Sequence, residues 1–160
     1  MNKKIIILRI ILIILLVIVF INIFGFSSQD SEESGNLSRT ITLKITQNIK
    51  TIQNLENGQK EQTLNIIETV IRKVAHFSEY TIVGILLMSL ISTYNLRQRN
   101  RFLISIGIGF LYACSDEFHQ LFVSGRSAQF TDVLIDTAGV CMGCFIIYLI
   151  LLVIKRCKTK

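Results

Sequence analysis

Two histidines and a group of carboxylates stand at helical spacing between residues 76 and 136. His76, Glu79 and Tyr80 fall at i, i+3 and i+4, so on a helix they share one face. Asp116, His119 and Gln120 repeat that spacing, with Glu117 about 100° round the same helix. Asp132 and Asp136 are one turn apart, Lys73 lies just before His76, and Arg126 follows Gly125 between Gln120 and Asp132.

These residue types support three kinds of chemistry. In the first, histidines, acids and Arg126 form a satisfied hydrogen-bond and ion-pair network that pins helix ends together, Asp132 serving as an N-cap. In the second they form a metal or acid–base centre, because imidazole and carboxylate are the ligand types of zinc and manganese and also make general acid–base pairs. No HExxH spacing is present. His76 or His119 would then be the base, Asp116 or Glu117 its partner or a metal ligand, with Glu79 in the same catalytic set. In the third they line a pocket for a polar headgroup, where Arg126 offers a fork to phosphate or carboxylate and Lys73, Tyr80, Gln120, Asp132 and Asp136 complete the binding surface. Gly125 gives the backbone freedom to place Arg126.

What must position these side chains is a membrane bundle. The 160 residues are 51% hydrophobic, with a mean hydropathy of +0.53, which suits a single membrane domain over 1–160. Four runs are long enough to span, at 5–26, 76–94, 102–122 and 133–154. The first follows Lys3 and Lys4 as a signal peptide would. Its apolar core is too long for one and Phe24-Gly25-Phe26 is a poor cleavage site, so a retained helix is expected. The reading is an all-α, polytopic membrane helix bundle of about four transmembrane helices with an amphipathic helical outer loop.

The net charge of +6 comes from Lys and Arg beside the apolar runs, which argues topology and against nucleic-acid binding. Lys3, Lys4 and Arg9, then Arg97, Arg99 and Arg101, then Lys155, Arg156, Lys158 and Lys160 alternate onto one side, predicted to be cytoplasmic with both termini. The histidines and acids then share the opposite, outer side with Ser27, Ser28 and Gln29. Leaving such carboxylates against lipid would cost about 2.5–3.5 kcal/mol each, so they are expected to face inward. Gly139 and Gly143 continue the Asp132–Asp136 stripe as a small-xxx-small pattern that admits a neighbouring backbone.

The long outer connection, 27–75, carries two apolar stripes, one at Leu37, Ile41, Ile45, Ile49 and Ile52, the other at Leu64, Ile67, Val70, Ile71 and Val74, with Asn57-Gly58 between them. Helices lying on the outer surface or capping the bundle are predicted. Cys141 and Cys144 form a CxxC, read here as packing residues of a membrane helix rather than a redox pair. Nothing ionisable continues from the outer cluster towards the cytoplasmic side, which disfavours a transport pathway.

The segment RKVAHFSEYTIVGILL, followed by CSDEFHQLFVSGRSAQFTDVLIDTAG, resembles the VanZ-like family of bacterial membrane proteins, and FSSQ at 26–29 matches as well. The order of motifs is a basic residue, HFxEY, SDExHQxFxxGR and DVxxDxxG. The resemblance implies a bacterial plasma membrane, most naturally a Gram-positive one, and a functional set of Lys73, His76, Glu79, Tyr80, Asp116, Glu117, His119, Gln120, Arg126, Asp132 and Asp136. It also implies a link to antibiotic resistance, since the founding member is associated with low-level resistance to the lipoglycopeptide teicoplanin. No settled activity comes with the family. The expected partner is a membrane lipid or lipid-linked cell-wall precursor; a divalent metal is an open alternative for the same residues.

Overall fold

A computed structural model describes residues 3–126 and 128–158. Six helices follow one another: α1 (Lys3–Ser27), α2 (Ser31–Thr46), α3 (Lys50–Gln53), α4 (Asn57–Ser92), α5 (Gln98–Gln120) and α6 (Phe130–Lys158). Among the described residues there is no strand. The fold is all-helical, as the periodicity predicts.

Length and apolarity together qualify three helices to cross a membrane, α1, α4 and α6. The sequence predicts a fourth at 102–122. Its counterpart α5 has 23 residues, or about 34 Å of rise, but Arg99 and Arg101 occupy one end and Asp116, Glu117 and His119 the other. The second predicted span also differs in extent. Instead of starting near His76, α4 runs unbroken for 36 residues, about 54 Å, well beyond a bilayer core of about 30 Å. Nothing between Asn57 and His76 interrupts helical hydrogen bonding, so the second apolar stripe and the span are one rod.

The core sits where α4, α5 and α6 meet. Tyr80, Val83, Leu87 and Met88 of α4 pack against Ala113 of α5 and Val133, Val140 and Cys144 of α6, with Ile23 of α1 closing one side. The α4–α6 contact is backbone to backbone. A Cβ on Gly143 would lie 2.1 Å from the Thr81 carbonyl oxygen, and one on Gly139 would lie 2.5 Å from that of Phe77. From the other helix, a Cβ on Gly84 would fall 2.2 Å from the Val140 oxygen. The small-residue stripe read from the sequence is thus the seam, and Gly84 is its counterpart.

Helix α1 is apolar all round and exposes most of its side chains, as suits a helix facing lipid. Polar ties hold it along its length. Near its start, Arg9 donates to the Thr93 hydroxyl and carbonyl at 2.9 and 2.8 Å and lies 3.7 Å over the Tyr94 ring. Midway, the Tyr112 hydroxyl donates to the Phe20 carbonyl at 2.7 Å and the two rings stack. At its end, Ser27 reaches α5. The start of α1 therefore stands level with the α4–α5 turn, and its end level with the end of α5.

Helix α2 folds back along the first half of α4, with its polar side inward. Thr42 and Thr46 are buried, Ser38 donates to Glu68 at 3.3 Å, and Arg39 pairs with Glu61 at 2.7 Å. Leu37, Ile41 and Ile45 point outward, Ile45 at 55% exposure. On α4, Leu64 is buried while Val70 and Val74 are exposed. An outward apolar stripe is what a helix at a lipid interface presents.

The seam makes a sharp prediction. Gly143→Val inserts a side chain where no room exists and should lower the thermal unfolding midpoint in detergent by several degrees, in keeping with an overpacking cost of about 1–3 kcal/mol. Gly107→Ala, where a Cβ meets nothing within 4 Å, should leave it unchanged.

Candidate functional site

The polar residues gather at the end of the bundle opposite Arg9 and the α4–α5 turn. Along their helices His76 lies about 24 Å from Ser92, Asp116 about 27 Å from Gln98, and Asp136 about 27 Å from Ile154, each at 1.5 Å per residue. Three segments remote in sequence therefore reach a common level, near the rim of an apolar layer about 30 Å thick.

Asp116 and Asp136 are its deepest members, at 2% and 1% exposure. Ser27 donates to Asp116 Oδ2 at 2.8 Å, and Gln120 Nε2 donates to Ser27 Oγ at 3.2 Å, which makes a buried chain from α5 through α1 and back. Asp116 Oδ1 has no hydrogen-bond partner, nor has either oxygen of Asp136, Nδ1 of His76 or the Tyr80 hydroxyl. His76, Asp116 and Asp136 each present a donor atom within 4.8 Å of the others'. Register explains this. Asp136 is one turn above Gly139–Val140, His76 one turn above Tyr80, and the glycine seam presses those turns together.

Above this cluster opens a cavity of about 270 Å³, lined by Lys73, His76, Glu117, Gln120, Arg126 and Asp136 with Thr69, Arg72, Gly125, Gln129, Asp132 and Ile135. Glu117 is held by the backbone N–H of Gln129 at 3.0 Å, which ties α5 to the start of α6. Lys73 pairs with Asp132. Asp132 lies within the first turn of α6 rather than before it, so its role is that ion pair, not an N-cap. Gly125 adopts a φ of 73°, the left-handed turn that sends the following residue back across the bundle. Arg126 then donates to the Phe26 carbonyl at 3.2 Å.

Partial burial and the neighbouring Arg72 lower the pKa of Arg126 from its ordinary value, while Asp116, Glu117 and Asp30 pull it upward. Arg72 is exposed and makes no hydrogen bond or ion pair among the described residues. Two guanidinium groups thus repel across one cavity mouth.

Of the residues named from the sequence, the cavity collects Lys73, His76, Glu117, Gln120, Arg126, Asp132 and Asp136, with Asp116 immediately beneath. It does not collect the others. His119 turns to α1, where its ring stacks on Phe24 with centroids 4.3 Å apart and Nε2 lies 3.1 Å from Ser28 Oγ. The two imidazoles therefore do not converge. Glu79 is half-buried away from the cavity lining, and Tyr80 is packed below it in the core. Thr69, Arg72 and Gln129 were not singled out. Thr69, Arg72, Lys73 and His76 nonetheless fall at i, i+3, i+4 and i+7, so a polar face traced back from His76 finds two of them.

The architecture defines an α-helical membrane protein with a charged cavity at one end of its bundle. Its sequence is matched over residues 11–152 by the family model described as VanZ/LLP1, and the chain belongs to that family. No curated protein and no solved structure matches it.

Ser27 offers the cleanest test of how the site is built. Ser27→Ala would leave Asp116 Oδ2 and Gln120 Nε2 without their shared partner, a loss of about 1–3 kcal/mol. The unfolding midpoint should fall, whereas Ser115→Ala, on an exposed hydroxyl bonded within its own helix, should have little effect. Equal midpoints for the two variants would contradict the buried chain.

Proposed function

We propose that the cavity binds the anionic headgroup of an envelope lipid or lipid-linked cell-wall precursor at the outer face of a bacterial plasma membrane. In this reading α5 is a fourth span and both termini are cytoplasmic, because the basic clusters sit at the end of the bundle away from the cavity. The observation that carries it is the pairing of Arg72 and Arg126 beside Lys73 at the mouth of a cavity open at membrane-rim depth. An anion seated there relieves their repulsion and accepts forked hydrogen bonds. The lipid tail remains in the bilayer alongside the exposed apolar faces of the bundle. Through the family resemblance, occupancy of such a site also bears on susceptibility to lipophilic glycopeptides, which meet the same surface.

One observation favours a purely structural role for part of the cluster. The Ser27–Asp116–Gln120 chain is buried and joins α1 to α5, which is what a packing network does. In that account Arg126 holds α1 through the Phe26 carbonyl and binds nothing else.

Lipid retention separates the two. The full chain, extracted into micelles containing equal phosphatidylglycerol and phosphatidylcholine, should co-purify with the anionic lipid in excess. Arg126→Ala and Arg72→Ala should each cut that preference about tenfold, the worth of one charge-assisted hydrogen bond at about 1.5 kcal/mol. Equal retention of both lipids by the wild type, or an undiminished preference in the variants, contradicts the reading. Orientation has its own arm. In intact cells a membrane-impermeant maleimide should label Ser124→Cys and not Arg99→Cys.

A further inference from the structure

The most unusual groups in the molecule lie beneath the cavity rather than in its mouth. Asp136 is almost completely buried, yet neither of its oxygens meets a donor. Asp116 is equally buried and uses only Oδ2. Buried polar atoms are almost always partnered, and an unpaired carboxylate in an apolar bundle is among the costliest groups a protein can hold. Here three such oxygens and Nδ1 of His76 lack partners, and His76, Asp116 and Asp136 each offer a ligand atom within 4.8 Å of the others'.

We propose that His76, Asp116 and Asp136 bind a divalent metal cation of the zinc or manganese type. One neutral imidazole and two carboxylates are a donor set for these ions, and the two negative charges match the ion's charge. Ligand atoms about 2.0–2.2 Å from a shared ion lie up to about 4.4 Å apart, so the side chains need shift little to close on it. The second shell is in place for Asp116, whose other oxygen is oriented by Ser27 and through it by Gln120. Three protein ligands leave coordination positions open towards the cavity, where water or an anionic oxygen can complete the shell. His119 is excluded from the set by its stack on Phe24. The CxxC at Cys141 and Cys144 is a different matter. Cys144 is buried and bonded through its thiol to the Gly84 carbonyl, so it belongs to the helix seam. The site goes beyond the headgroup reading and stands whether or not a lipid binds.

The test uses the full chain in detergent, stripped with chelator and then titrated with MnCl2, an ion for which thiolates compete poorly. Bound manganese is followed by electron paramagnetic resonance and by metal analysis after desalting, and the titration is repeated with ZnCl2. Stoichiometric binding is expected for the wild type and for His119→Asn. Asp136→Asn and His76→Asn should weaken it by at least about 10–100-fold, the loss typical even of outer-shell changes at metal sites. Manganese should also raise the unfolding midpoint of the wild type and not of Asp136→Asn. Asp136→Asn should fold without metal, since it is a neutral isostere; should it fail to accumulate, His76→Asn carries the same comparison. No stoichiometric ion in the wild type, or affinities unchanged in both variants, overturns the proposal.

Discussion

Two carboxylates buried inside an apolar bundle are the constraint to which the rest of this molecule answers. Asp116 and Asp136 are removed from water by the same packing that forms the core, so each oxygen must find a proton, a donor or a cation. Asp116 Oδ2 finds Ser27, which fixes the end of α1 against α5. The remaining oxygens have no donor, and one ligand atom from each of His76, Asp116 and Asp136 lies within 4.8 Å of the others'. Their meeting depends on the glycine seam, because a side chain at Gly139 or Gly143 would wedge α6 away from α4 and carry Asp136 with it. Core packing and site chemistry are therefore one arrangement seen at two levels.

The two ends of the bundle differ in kind. At one end Arg9 closes on the α4–α5 turn by hydrogen bonds and a cation–π contact, leaving that face tied shut by local interactions. At the other end Arg72, Lys73 and Arg126 share the cavity lining with Glu117, Asp132 and Asp136. Lys73 pairs with Asp132, Arg126 donates to the Phe26 carbonyl and is attracted by Asp116, Glu117 and Asp30, and Arg72 makes no hydrogen bond or ion pair among the described residues. One end of the bundle is thus tied together by Arg9, and the other opens into a charged cavity.

Much of this was legible in the residues. Apolar runs mark α1, α4 and α6, and the Gly139–Gly143 spacing marks the face α6 presents to α4. The i, i+3, i+4 patterns around His76 and Asp116 mark the helix faces that carry the site. Other features were beyond a periodic reading. His119 shares a face with Asp116, yet α1 packs across that face and takes the imidazole for itself, a choice made by Phe24 and Ser28 ninety or so residues away. The stripe from Leu37 to Ile45 shows that α2 has two faces but not which one is buried. Near a membrane the apolar face can turn outward, and Ser38, Thr42 and Thr46 are small enough to let α2 lie close on α4. Gln129 enters the site by its backbone N–H, for which side-chain identity carries no signal. The continuity of α4 through 57–76 was hidden because its two halves meet different surroundings, one packed by α2 and the other by the core.

The convergence of helix ends on Asp116 is most directly measured by a disulfide. In a chain whose four natural cysteines are replaced by alanine, Ser27→Cys and Asp116→Cys replace two side chains in direct contact, their oxygens 2.8 Å apart. Mild oxidation in the membrane should close the bond within a single chain and protect both thiols from later maleimide labelling. Two thiols that stay open to the reagent after oxidation would mean that α1 does not end beside Asp116, and the site would lose the contact on which its assembly rests.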